Sequence, residues 1–210
     1  MTLGELLIAS AITVTLMGTV LGMTRPLQYL FDMQPEYADV HQRLRVAVDA
    51  LTKDLLGAAP PVMPYRAGVR RHDPAAGVFY RADAITLVPV PGDGPDVRPH
   101  TYYVRNDPAT GTAQLMRYDG YESDLPVADH VVGLEFDYFG ADGAPLPAAV
   151  FQDGPWFPDD QDRNRFDMDL LRIRRVGVTL RVRPAPVRLR HLLSAREIRF
   201  DVAPRNLNRE

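Results

Sequence analysis

From Leu6 to Thr24 no side chain carries a formal charge, a run of 19 residues. A bilayer core of about 30 Å takes roughly 20 helical residues at about 1.5 Å of rise each. The run is therefore long enough to cross a membrane or to line the dry core of a helical bundle. Arg25-Pro26 closes it, and Pro35 follows nine residues later. Each proline removes an amide donor, and Gly18 and Gly22 lower helix propensity, so a helix carried through this region is expected to bend or melt locally near Pro26 and Pro35. Beyond Pro35, Tyr37, Val40, Leu44, Val48, Leu51 and Leu55 recur at spacings of three and four. That period puts them on one face of a helix, with Asp39, Gln42, Arg43, Asp49 and Lys53 on the others. The pairs Arg45–Asp49 and Asp49–Lys53 stand at i, i+4 and add a few tenths of a kcal/mol each. Gly57 and then Pro60-Pro61 end the pattern.

After Pro64 the period shortens to two. Strands are predicted at 84–90, 101–105, 113–118, 131–139, 171–183 and 195–202. Asn106 to Gly111 reads as a hairpin loop, and Gly140-Ala141-Asp142-Gly143 as a turn. Leu134, Phe136 and Tyr138 share a face, as do Val176, Val178, Leu180 and Val182, and Ile198, Phe200 and Val202. A slip of phase between Ile173 and Val176 suggests a bulge at Arg174-Arg175. The fold class is α+β: one long N-terminal helix whose second half packs on antiparallel sheet. Three segments follow: 1–24 as a transmembrane or bundle-core helix, 25–57 as its amphipathic continuation, and 58–210 as a β-rich globular domain.

The absence of cysteine excludes disulfides, zinc–thiolate sites and thiol catalysis. Charge is unevenly spread. Residues 170–210 hold eleven Arg against three acids, a net of about +8, which leaves about −11 on residues 1–169 of a chain whose formal charge is −3.

Glu5 stands out at the head of the apolar run. A lone carboxylate there costs about 2.5 kcal/mol or more to bury, and no Lys or Arg lies within the next nineteen residues. The nearest cation is an α-amino group at Met1, its own or a neighbour's, and the helix N-terminus also favours an anion. The segment Met1-Thr2-Leu3-Gly4-Glu5-Leu6-Leu7 with the run behind it resembles the N-terminus of mature type IV pilins and pseudopilins. Met1, Thr2, Leu3, Glu5, Leu6 and Leu7 match position by position, and Gly4 departs, since a larger apolar residue is usual there. The stretch Arg43 to Leu56 and the ending Val202-Ala203-Pro204-Arg205-Asn206-Leu207 are loosely similar to PilW-type minor pilins and to pseudopilin J of type II secretion.

The resemblance implies a non-enzymatic filament subunit with a priming or tip role. A short basic leader would be cut before Met1 by a prepilin peptidase and the new amine methylated, so the chain reads as the mature form. Its helix would wait in a bacterial inner membrane with the β domain in the periplasm. An assembly platform would then move it into a pilus or related filament, where Glu5 neutralises the Met1 amine of a neighbouring subunit. Its partners would be other pilins or pseudopilins. The sequence does not separate pilus, secretion and DNA-uptake systems, and a single-span anchor carrying a ligand-binding β domain is the alternative.

Candidate chemistry is sparse. No serine sits in a nucleophile elbow, the five histidines lack metal-ligand spacing, and there is no phosphate loop or dinucleotide fingerprint. No cofactor is implied. Asp160, Asp162 and Asn164 alternate as calcium-loop oxygens do, with Asp167 in the same loop. The turn glycine is replaced by Arg165 and the closing Glu by Leu171, so a solvated loop is the preferred reading. Trp156 reads as a core plug beside that loop. On the predicted strands Arg172, Arg174, Arg181, Arg183 and Arg199 fall on the solvent side by alternation. A solvated sheet face accounts for them. A salt-sensitive contact with the acidic body of a neighbour is a second reading, and DNA binding a third.

Overall fold

In the computed structural model a single helix, α1, occupies Leu3–Gly57. The structure describes residues 2–65, 80–89, 98–107, 112–121, 123–151, 168–184 and 194–205. The chain divides into two compact units, Met1–Asp39 and Val40–Glu210.

In the first unit α1 continues through Pro26 and Pro35. The expectation of local melting there is corrected: each proline deletes one donor, and the helix is unbroken on either side of it.

In the second unit α1 continues to Gly57, the end that the glycine and the proline pair after it predict. Its buried positions are Val40, Leu44, Ala47, Leu51 and Leu55. Of the expected stripe Val40, Leu44, Leu51 and Leu55 are buried, Tyr37 and Val48 are only half-buried, and small Ala47 is buried in addition. The strands are β1 (Ala58–Met63), β2 (Ala84–Pro89), β3 (His100–Asp107), β4 (Thr112–Tyr118), β5 (Asp124–Phe139), β6 (Pro145–Leu146), β7 (Arg175–Val182) and β8 (Arg196–Val202). They form one antiparallel sheet in the order β1-β2-β3-β4-β5-β7-β8, with β6 also paired to β5. The architecture is α+β, as the patterns predict.

β1 has no counterpart in the sequence reading. Pro60 and Pro61 have no amide hydrogen, which disfavours an interior strand there. The structure reconciles this by placing β1 at a sheet edge, with the ladder to β2 irregular between Ala59 and Met63, where the two prolines fall. The predicted bulge at Arg174-Arg175 is also corrected. Met168–Arg172 is a 3-10 turn and β7 begins only at Arg175, so the change of phase marks a junction between elements.

One face of the sheet buries Ile85, Leu87, Tyr102, Leu115, Leu134, Phe136, Tyr138 and alternate β7 residues Val176 to Val182 against the α1 stripe. The faces predicted for β5 and β7 are therefore correct, and on β8 Val202 is buried while Ile198 and Phe200 pack at the rim of the core. Tyr80 stacks on Phe151 with centroids 6.0 Å apart, and Tyr138 meets the same ring edge-on at 5.4 Å. On the opposite face Ala84, Tyr103, Met116 and Tyr118 form a small second cluster.

The β4–β5 turn depends on one glycine. Asp119 accepts the amides of Tyr121 at 2.8 Å and Ser123 at 3.1 Å, and Gly120 between them has φ +77°. A Cβ at Gly120 would lie 2.5 Å from the Pro99 carbonyl oxygen. Backbone would have to move in addition to the left-handed cost of about 1–2 kcal/mol. Gly120→Ala is therefore expected to lower unfolding stability by about 2–4 kcal/mol, read as a drop in the urea midpoint.

Candidate functional site

The first residues of the chain form a reciprocal cap. The Thr2 amide donates to Glu5 Oε2 at 2.8 Å, and the Glu5 amide donates more weakly to Thr2 Oγ1 at 3.4 Å. This is the capping box of the pattern Ser/Thr-x-x-Glu, in which two orphan donors of a helix start satisfy each other's side chains. The Thr2-to-Glu5 spacing announces it, but the sequence reading considered only the charge of Glu5. The carboxylate thus has a local partner inside its own chain. Met1, the other expected member of the site, lies outside the described residues.

Behind the cap, Leu3–Thr24 is a helix of 22 residues, long and apolar enough to span a membrane, and none of it is buried. Leu3, Leu6, Leu7, Ile8, Ile12, Val14, Leu16, Val20 and Leu21 are all exposed. The polar groups of this stretch are turned inward on the backbone. Ser10 and Thr19 donate to carbonyls three residues back, and Thr13, Thr15 and Thr24 to carbonyls four back, at 2.8–2.9 Å. Hydroxyls satisfied this way tolerate an apolar environment. Gly4, Ala11, Gly18 and Gly22 fall at spacings of seven, seven and four, hence along one side of the helix. A Cβ added at Gly4, Gly18 or Gly22 would meet nothing within 4 Å. Packing among the described residues therefore gives no reason for three residues that each cost a helix about 1 kcal/mol relative to alanine.

A second polar site lies in the β-rich unit and escaped the sequence reading. Asp54 stands on the buried side of α1, seven residues after Ala47 and three after Leu51, with its side chain 16% exposed. Its Oδ2 accepts the Tyr102 hydroxyl of β3 at 2.8 Å and Arg117 Nε of β4 at 2.7 Å. Arg117 Nη2 also lies 3.0 Å from His100 Nδ1. Burial, then the Asp54 charge, pushes the Tyr102 hydroxyl well above the usual tyrosine range. Burial works against the charge of Arg117, but the hydrogen bond and charge of Asp54 outweigh it and the guanidinium is held charged. Burial and the neighbouring Arg117 lower the pKa of His100, with Asp54 and Asp119 opposing them. The group ties the end of α1 to two strands. Its sequence signal was a carboxylate in phase with an apolar stripe.

The arginines of the outer sheet face are less available than alternation alone implies. Arg181 pairs with Glu197 at 3.0 Å, and Arg199 Nε donates to Thr179 Oγ1 at 3.0 Å. Arg175 bridges Asp201 at 3.4 Å and lies over the Phe139 ring at 4.3 Å. β7 and β8 thus present a ladder of mixed sign at these positions rather than a basic stripe. Arg172 closes the 3-10 turn, Arg174 follows it, and Arg183 sits just past β7, so these three are not on a strand face. Asp160, Asp162, Asn164, Asp167 and Trp156 lie outside the described residues.

No protein-family model matches the chain, and no curated protein matches it significantly.

Proposed function

We propose that the chain is a minor pilin or pseudopilin: a non-enzymatic subunit held in a membrane by Leu3–Thr24 and then packed through that helix into a filament. The observation that carries this reading is the bare apolar helix with the Glu5 carboxylate in its first turn, closing a capping box with Thr2. An exposed apolar surface of this extent needs lipid or other helices to cover it. A membrane anchor alone would account for the length. It would not account for glycines aligned along one side with open space beside them. Small residues on one side let helix backbones approach closely in lipid. In this reading the Glu5 oxygen left over by the cap meets the Met1 amine of the next subunit, and the second half of α1 with its sheet is the pilin-type head. The head faces the periplasm or the outside and supplies lateral contacts.

The test is the mass of the intact protein and of its N-terminal fragment, taken from membranes and from filaments sheared off the cell surface. A start at Met1 carrying one added methyl, present in the filament fraction, is the expected result. A protein confined to membranes with an unmodified start would replace this reading by a plain single-span anchor.

A further inference from the structure

Arg117 Nη2 and His100 Nδ1 are 3.0 Å apart. A guanidinium nitrogen can only donate, so the contact is a hydrogen bond only if Nδ1 is bare. The contact fits the neutral tautomer of His100 with its proton on Nε2. If Nδ1 took up a proton, two cations would face each other with a hydrogen on each side of the contact. One carboxylate acceptor for the new N–H is Asp54 Oδ2, 3.8 Å from Nδ1 and already bonded by Tyr102 and Arg117. His100 and Arg117 would then compete for one oxygen.

We propose that His100 is an acid-operated latch on the last turns of α1: protonation at Nδ1 displaces Arg117 from Asp54 and loosens the helix end from β3 and β4. The groups bearing on His100 come from four elements. α1 contributes Lys53 and Asp54, β3 contributes Tyr102, and β4 contributes Arg117, with Asp119 in the turn just after it. Among the described residues β2 contributes the apolar Leu87, paired with His100 in the ladder, and Pro89. The two carboxylates favour a proton on the ring, and burial with Arg117 opposes it. Because folding lowers the pKa of His100, the unfolded chain binds the proton more tightly than the native one. The contribution of His100 to stability is therefore whole above the ordinary value of about 6.5 and is lost as pH falls below it toward the native value. The latch belongs to the β-rich unit and does not depend on the filament reading.

The test uses the full chain in detergent micelles, with histidine side-chain nitrogen shifts and amide exchange of Leu51–Gly57 followed from pH 7.5 to 5. Expected results are a bare Nδ1 at pH 7.5 and a His100 titration midpoint below 6.5. Exchange at 51–57, corrected for intrinsic rates, should rise at least tenfold at low pH. In His100→Gln, which keeps an acceptor and cannot take up a proton, that rise should vanish. Protonated Nδ1 in the neutral ring, a midpoint at or above 6.5, or a rise unchanged in His100→Gln would each overturn the latch. The first two are read on the native protein and hold even if the variant fails to fold.

Discussion

Glu5→Gln is expected to fold as the wild type does and to be lost from filaments by two orders of magnitude or more. The choice of glutamine follows from the capping box. Glutamine keeps an oxygen that can accept the Thr2 amide, now at 2.8 Å from Glu5 Oε2, but it carries no charge. A cap alone is worth about 1 kcal/mol and stabilises only the helix start. A charge left without its partner in an apolar bundle costs about 3–5 kcal/mol, a factor of a hundred to several thousand in incorporation. The two roles of Glu5 therefore separate in one variant. If capping is its whole task, Glu5→Gln enters filaments almost normally while Glu5→Ala is mildly impaired. If it pairs with a neighbour's amine, both variants fail equally. Glu5 is exposed and hydrogen-bonds with Thr2 at the helix start, so circular dichroism and thermal unfolding of the β-rich unit should not change in either. Normal incorporation of Glu5→Gln would dismiss the pairing and with it the main support for a filament.

How far the chain could be read in advance depended on the range of the interactions involved. The apolar run, the α1 stripe and the faces of β5 and β7 are written in local periodicity, and each was legible. The lower half of β5 was not. Asp124 to His130 includes Pro126, does not alternate cleanly, and meets the rest of the strand at His130, which has φ +57°. Its pairing with β4 is what makes it a strand. β1 is similar, since two prolines argue against it locally and only an edge position admits it. The pairing of Arg181 with Glu197 depends on the β7–β8 register and has no local signature. Two signals were present and passed over. Thr2-x-x-Glu5 spells a capping box, and Asp54 stands in the phase of Leu51 and Ala58, where an unpaired carboxylate would be untenable.

That last position also carries a large expected effect on stability. Asp54→Ala removes one acceptor that serves both Tyr102 and Arg117, and so leaves a half-buried guanidinium and a buried hydroxyl without it. Breaking a buried pair from one side costs about 3–5 kcal/mol. The Arg117 side chain is 28% exposed and can recruit water, which places the expected loss near the lower end, about 3 kcal/mol. The urea midpoint should fall by about 1–2 M. Removing the whole group at once should be far milder. Asp54→Leu with Arg117→Met and Tyr102→Phe leaves no orphaned polar atom of the triad, and apolar side chains of similar volume would continue the stripe already formed by Ala47, Leu51 and Ala58. The triple variant is expected within about 1 kcal/mol of wild type. Such a contrast would show that the cluster's worth lies in its completeness. It would also make the end of α1 the point where one missing proton acceptor, or one added proton at His100, shifts the hold of the helix on its sheet. An Asp54→Ala variant within about 0.5 kcal/mol of wild type would mean that water already serves these groups, and neither the tether nor the latch built on it would stand.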